Sequence, residues 1–430
     1  MDTIFALASA PGRSGVAVIR ISGPDALEVG RQIAGPLPNK GQVALRIFRG
    51  PDGQQIDQGL ILVFHAPNSF TGEDVIEFQT HGSVAIVKAL SDVIRQTGLV
   101  RDAAAGEFTC RALLENRLNL TQVEGLGALL EAETEMQRSL AMSVFTGRLG
   151  ETVETWRKDL LRITVLLEAK IDFADEAVPE DTSPEVISLV TRVCNSLAKE
   201  IAGSYVAERV RDGFEVAIIG APNSGKSMLL NFLAGRDAAI TSEIAGTTRD
   251  IIEVRMDIGG LAVTFLDTAG LRVAEDQIEQ LGIDRTRERA AAADLRLFLQ
   301  QSDDETAPIK LVDGDIRRIG KGDLAENPSK LHISGKTGLG VAVLVEEIRK
   351  ILLDRAARAA TATHARHRTA MIAAKSALAL AEKEICAGPE RAEFAADHLR
   401  VALRNLDALV GRIDVEVVLG EIFSNFCIGK

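Results

Sequence analysis

Residues 220–227 read Gly-Ala-Pro-Asn-Ser-Gly-Lys-Ser, preceded by the apolar run Glu215 to Ile219 and followed by a helix-like stretch, Met228 to Leu233. A glycine-rich loop between a strand and a helix commits this part of the chain to an α/β fold. Its glycines let successive backbone N–H groups turn inward on phosphates, Lys226 reaches the β and γ oxygens, and the Ser227 hydroxyl joins a magnesium shell. The segment predicts nucleoside triphosphate binding through Asn223, Ser224, Gly225, Lys226, Ser227 and Met228.

Downstream, Leu261 to Leu266 reads as a strand running into Asp267-Thr268-Ala269-Gly270. Asp267 would hold magnesium through a water and the Gly270 N–H would meet the γ-phosphate, so hydrolysis removes a contact that orders the following segment. Between the two motifs, Gly246-Thr247-Thr248-Arg249-Asp250 places a threonine, Thr248, where its hydroxyl reaches magnesium only while the γ-phosphate is present. Taken singly, Asp-Thr-Ala-Gly is an ordinary turn. At this distance after the phosphate loop it reads as a switch.

Base choice is written less plainly. GTPases usually carry Asn-Lys-x-Asp or Thr-Lys-x-Asp after their fifth strand, and the corresponding segment here is Gly320-Lys321-Gly322-Asp323, which lacks the first side chain. Asp323 can accept from the guanine N1 and N2 groups, which adenine cannot offer, and the Lys321 stem can lie along the ring. Ser334-Gly335-Lys336, after a strand-like Leu331 to Ile333, is similar to the short loop that closes over guanine. A plain Gly-Lys surface turn is the competing reading. After Asp-Thr-Ala-Gly stands Leu271, where many small GTPases place a water-orienting glutamine, so another group must do that work.

Gly-x-Pro-Asn-x-Gly-Lys-Ser, Gly-Thr-Thr-Arg-Asp, Asp-Thr-Ala-Gly-Leu-Arg and the terminal Phe426-Cys427-Ile428-Gly429-Lys430 together resemble the MnmE (TrmE) family of tRNA-modifying GTPases, over essentially the whole chain. The resemblance implies GTP and Mg2+ as ligands, and a potassium ion held by Asn223, Thr247 and the backbones near Ser242 and Ile244. A fixed cation there stands in for an arginine finger, a device that contributes about 10³ to 10⁵ in rate. It implies Glu279 as the group that orients water, giving Glu279, Lys226 and Asn223 as the catalytic set; by residue pattern alone Glu279 is one acid on a solvated helix. It also implies a first domain that makes a homodimer and binds a reduced folate such as 5-formyltetrahydrofolate through Arg20, Glu77, Arg117 and Lys430. An FAD-dependent partner would complete a heterotetramer acting on the wobble uridine of tRNA, since no Gly-x-Gly-x-x-Gly follows a strand in this chain.

Texture along the chain supports a multidomain protein with three parts. Residues 1–118, with Pro-Gly and Asn-Ser turns and β-like runs at Val16 to Ile21 and Gly59 to Phe64, read as an α+β domain. Residues 119–212 turn helical, with Val123, Leu126, Leu129, Leu130 and Leu140, then Val153, Trp156, Leu160 and Leu167, then Val186, Leu189, Val193, Leu197 and Ile201 at helical spacing. The nucleotide domain occupies 213–355, and 356–430 return to helix with Leu399, Leu403, Leu406 and Val410. Too short to bury a core alone, that last stretch is expected to join the earlier helices in an all-α domain into which the α/β module is inserted.

No apolar run of the 430-residue chain approaches the roughly 20 residues that span a bilayer, and four cysteines without metal-ligand spacing read as reduced thiols; a cytoplasmic protein is expected. A net charge of −12 excludes nucleic-acid binding by a broad basic surface. The basic patch Arg355, Arg358, Arg366 and Arg368, with His364 and His367, reads as a solvated helix face. Cys427 reads either as a reactive thiol near Lys430 or as inert packing, and its tetrapeptide does not suit prenylation. The alternative function, an Era-like switch in ribosome or RNA assembly without one-carbon chemistry, would call for a basic RNA-binding module in place of the first domain.

Overall fold

The computed structural model describes residues 2–172, 183–236, 239–240, 253–267, 288–302, 305–413, 423, 426 and 429. It forms two compact units, Met1–Gly127 with Asp407–Lys430, and Ala128–Leu406.

In the first unit, β1 (Thr3–Leu7), β2 (Ser14–Ser22), α1 (Ala26–Ala34), β3 (Val43–Arg49), β4 (Gln55–Phe64), β5 (Val75–Gly82), α2 (Val84–Gln96), β6 (Val100–Asp102) and α3 (Glu107–Leu114) follow one another. The strands make one sheet in the order β3-β4-β5-β2-β1-β6, antiparallel except for β1 with β6. Alternation decides its faces: Ile19, Ile21, Ile61, Val63, Ile76 and Phe78 share a core with Val29 and Ile33 of α1 and Leu90 and Ile94 of α2. Each such burial stabilises by about 1.5–3 kcal/mol. The intervening positions Arg20 and Glu77 lie opposite each other across β2 and β5, on the other face.

The chain's last residues belong to this unit. Phe423 and Phe426 stack at 5.6 Å between ring centres and cluster with Leu113, Val123 and Leu120, the first residue of α4 (Leu120–Glu131). Gly106, in the left-handed region at φ 66°, admits them: a Cβ there would sit 2.6 Å from the Phe423 ring. Sequence texture grouped all of 356–430 with the helices. Phe423 and Phe426 pack instead among residues of the first unit.

The second unit holds α5 (Glu135–Phe145), α6 (Arg148–Asp172), α7 (Ser183–Asp212), β7 (Phe214–Ile219), α8 (Lys226–Ala234), β8 (Glu253–Ile258), β9 (Leu261–Asp267), β10 (Leu295–Gln300), β11 (Ile316–Ile319), α9 (Val341–Ala356), α10 (Ala365–Ala387) and α11 (Ala392–Val410), which runs into the first. Helices α6 and α7 pair through the periodic apolar positions: Val153, Trp156, Leu160, Val186, Val193 and Leu197 are buried, and the Trp156 indole N–H donates to Ser196 Oγ at 2.9 Å. Leu130, of the same periodic set, is exposed.

The five-stranded sheet runs β11-β10-β7-β9-β8, parallel except for β8. Its core joins Val216, Ile218, Val263, Phe265, Leu297 and Leu299 with Leu229 and Leu233 of α8 and Leu344 and Ile348 of α9. Strand order reverses around β7, and in such sheets the crevice at the strands' carboxyl ends takes the ligand. Residues 331–333, expected as a strand, contribute only an isolated bridge from His332 to Ile319.

The basic patch is solvated only in part, with Arg358 exposed. Arg368 pairs with Glu208 at 2.7 Å and lies 4.2 Å from the Tyr205 ring centre, Arg355 donates to the Asp294 carbonyl, and His367 is buried. Glu208 of α7 neutralises the Arg368 charge that the local sequence shows alone. Among the described residues, no helix is long and apolar enough to cross a membrane.

Candidate nucleotide-binding site

The loop after β7 has the backbone its sequence requires. Gly220 and Gly225 sit at φ 154° and 105°, and Asn223 takes the left-handed region at φ 61°. Such values are open to glycine and tolerated by asparagine, so the loop curls with α8 starting directly behind Gly225. Lys226 is buried, its Nζ donating to the carbonyls of Gly220 at 2.8 Å and Ala221 at 2.9 Å. The ammonium thus spans the loop's mouth, where phosphate oxygens would take over its bonds.

The Ser227 hydroxyl donates to Asp267 Oδ2 at 3.1 Å. That bond joins the start of α8 to the end of β9, two motifs 40 residues apart in sequence. Asp267 is 4% exposed and its Oδ1 has no hydrogen-bond partner among the described residues. A buried, orphaned carboxylate oxygen beside a hydroxyl is a hard-oxygen donor set that fits Mg2+.

A cleft of about 320 Å³ adjoins the loop, lined by Ser224, Gly225 and Met228 on one side and by Lys321, Asp323, Ser334, Gly335 and Lys336 on the other. The two base-recognition segments therefore meet. Asp323 Oδ1 accepts from the Ser334 hydroxyl at 2.6 Å, while Ser334 Oγ accepts the Lys336 and Thr337 N–H groups at 3.2 and 3.3 Å. The Ser334 hydrogen bond, helped by the Lys336 and Lys321 ammoniums, holds the Asp323 carboxyl below the usual carboxylate range. An ionised, acceptor-only Asp323 suits the N1 and N2 donors of guanine. Asp323→Asn turns one acceptor into a donor and is expected to lower GTP affinity by about 10² while raising that for xanthosine triphosphate, read by competition binding. Unchanged base preference in this variant would remove Asp323 from the base site.

Sequence reasoning missed the cleft's apolar lining, Leu229, Leu299, Leu324 and Ile333. Leu324, 75% exposed directly after Asp323, was the available signal: a large apolar residue in solvent beside a recognition acid suits a flat ring. Ser242, Ile244, Thr247, Thr248, Thr268, Ala269, Gly270, Glu279, Cys427 and Lys430 lie outside the described residues.

In the first unit, Arg20 and Glu77 come together as an ion pair at 2.8 Å, both largely buried. The Arg20 guanidinium lies 5.8 and 5.7 Å from the ring centres of Phe70 and Phe108, and its Nη1 donates to the Gly429 carbonyl at 3.4 Å. Arg117 is exposed, its stem against Gly72. These groups share a unit, with the described part of the C-terminus beside Arg20.

A mostly parallel sheet, a strand-loop-helix turn, a Ser–Asp pair at its rim and an Asp–Ser pair in the adjoining cleft define a P-loop GTPase-like module, in a chain that also has helical and α+β parts. Residues 3–117 match the family model "GTP-binding protein TrmE N-terminus" and residues 120–427 the model "MnmE helical domain". Relatives similar along their whole length are the tRNA modification GTPases MnmE of Roseobacter denitrificans and Dinoroseobacter shibae, each 55% identical, and of Paracoccus denitrificans, 46% identical, with 100% of each chain covered. The chain belongs to the MnmE family of tRNA modification GTPases. Among solved structures, Era of Aquifex aeolicus bound to GDP and aluminium fluoride is 26% identical over 39% of this chain and 67% of that one, at a TM-score of 0.27.

Proposed function

We propose that this chain is a potassium-activated GTPase which, as a cytoplasmic homodimer with an FAD-dependent partner, takes part in 5-carboxymethylaminomethyl-type modification of the tRNA wobble uridine, with a reduced folate as one-carbon source. The supporting observation is a phosphate loop that holds Lys226 and pairs Ser227 with Asp267, and that also lines, through Ser224, Gly225 and Met228, the cleft containing the Asp323–Ser334 pair.

Lys226 would exchange its two loop carbonyls for phosphate oxygens, and the loop's N–H groups would cradle the rest of the chain of phosphates. Ser227 directly, Asp267 through a water and Thr248 from the switch segment would hold Mg2+, which when bound offsets the negative charge of the β and γ phosphates. Asn223, Thr247 and the backbones at Ser242 and Ile244 would hold potassium, which when bound supplies fixed positive charge where an arginine finger would otherwise act. Glu279 would orient water, the task that Leu271 cannot perform. The remaining proposed nucleotide contacts are Thr268, Ala269 and Gly270 at the γ-phosphate, and Lys321, Gly335 and Lys336 at the base.

For the folate, Arg20 and Glu77 supply opposite charges on one sheet face, with Arg117 and the C-terminal Lys430 as further cations for a glutamyl carboxylate. Cys427 is proposed as a thiol near that site. The existing Arg20–Glu77 pair keeps both side chains in place. Saturating 5-formyltetrahydrofolate is expected to raise the melting temperature of the full chain, and Arg20→Ala to abolish the rise. No shift in the unaltered chain would favour an Era-like assembly switch instead.

A further inference from the structure

Glycine at 320 removes a side chain from the base site, and the structure shows why none fits. A Cβ on Gly320 would lie 2.0 Å from the Ser224 carbonyl oxygen and 3.3 Å from Leu299 Cγ. The obstacle is backbone of the phosphate loop, which cannot swing aside as a long side chain would. Gly320 cannot retreat easily either, because its N–H donates to the Gln300 carbonyl at 2.9 Å. Its neighbours are tied on both sides: Ile319 exchanges hydrogen bonds with Leu331 and Ile333, and Gly322 N–H donates to Ile333 O. The opposite flank repeats the device, since a Cβ on Gly335 would meet Met228 C and Leu229 N at 2.4 Å. Two glycines thus set both recognition segments directly on the backbone of the phosphate loop and α8.

Four lining side chains could still donate to a base. Ser334 is committed to Asp323, both the Lys321 and Lys336 ammoniums act on the Asp323 carboxylate, and the Ser224 hydroxyl is buried next to Gly220. Among the described lining side chains, three of these four donors therefore serve the acid that meets the six-membered ring, and the fourth, Ser224, is buried beside Gly220 without a hydrogen-bond partner. Purine N7 is an acceptor on the other ring and needs a donor; position 320 has neither a donor nor room for one.

We propose that this chain reads guanine through its N1 and C2-amino edge alone and leaves the imidazole edge unread, so that its nucleotide site accepts purine triphosphates altered at N7. The inference rests on the guanine-nucleotide reading above and narrows it. A side-chain amide at this position would bring a donor toward the base. Here Gly320 exchanges that donor for close packing of two loops.

The test is competition of GTP, 7-deazaguanosine triphosphate and inosine triphosphate for the full chain with Mg2+. The 7-deaza nucleotide is expected to bind within about twofold of GTP, and inosine triphosphate, which lacks the C2 amine, about tenfold or more weaker. A tenfold or greater loss with the 7-deaza nucleotide, while GTP binds normally, would overturn the inference and leave the guanine reading standing; failure of GTP itself to bind would overturn both. Gly320→Asn is expected to weaken both nucleotides alike, because its Cβ pushes the phosphate loop away. Tighter GTP binding with new discrimination against the 7-deaza nucleotide would show that the amide fits and contradict the packing account.

Discussion

Lys226→Ala is expected to lower GTP affinity by about 10² to 10³, the equivalent of two charge-assisted hydrogen bonds, while leaving the fold intact. Before nucleotide arrives, the ammonium is satisfied by Gly220 and Ala221 carbonyls. Truncation leaves two loop carbonyls that water can reach in part, so the stability loss is about 1–2 kcal/mol, far less than unfolding requires. Equilibrium binding and a melting curve on the same sample separate the effects. Lys226→Arg is not a rescue, because a planar fork cannot replace a compact, buried point charge between two carbonyls. Retained GTP affinity in Lys226→Ala would place the phosphates somewhere other than this loop.

The second large effect concerns the cation. Turnover is expected to be faster in potassium than in sodium chloride by on the order of 10², the scale of a fixed charge at the transition state. Asn223→Ala is expected to erase that difference, leaving both salts at the slow rate. Asn223 suits the role for a conformational reason: at φ 61° it occupies the turn of the loop without strain and remains exposed, so its amide oxygen is available. Nucleotide affinity in the variant is expected to fall far less than turnover, because Lys226, Ser227 and Asp323 keep their contacts. Equal turnover of the unaltered chain in the two salts would reject the potassium proposal.

Much of the nucleotide site was legible because each part is local. Gly220 to Ser227 carries its strand, turn residues and helix start within a few positions, and β7 and α8 lie within a residue or two of the expected runs. The end of β9 at Asp267 was legible from the strand-like run before it. What was hidden depends on pairing over long separations. The Arg20–Glu77 contact follows from the register of β2 on β5, which a reading of each strand alone does not contain. Arg368 looked solvated because Glu208 and Tyr205, its partners on α7, are remote in sequence. The packing of Phe423 and Phe426 beside Gly106 joins residues remote in sequence. Gly320 was visible as a missing side chain, while its approach to Ser224 needed the packed loops.

The central claim is that one crevice senses a guanine nucleotide through Lys226, the Ser227–Asp267 pair and Asp323. Its most direct test is equilibrium binding of GTP to the full chain in excess Mg2+, with ATP as competitor. The account predicts saturable GTP binding that ATP does not displace and that chelation of Mg2+ weakens. Displacement by equimolar ATP, or failure to retain GTP at saturating Mg2+, would contradict it.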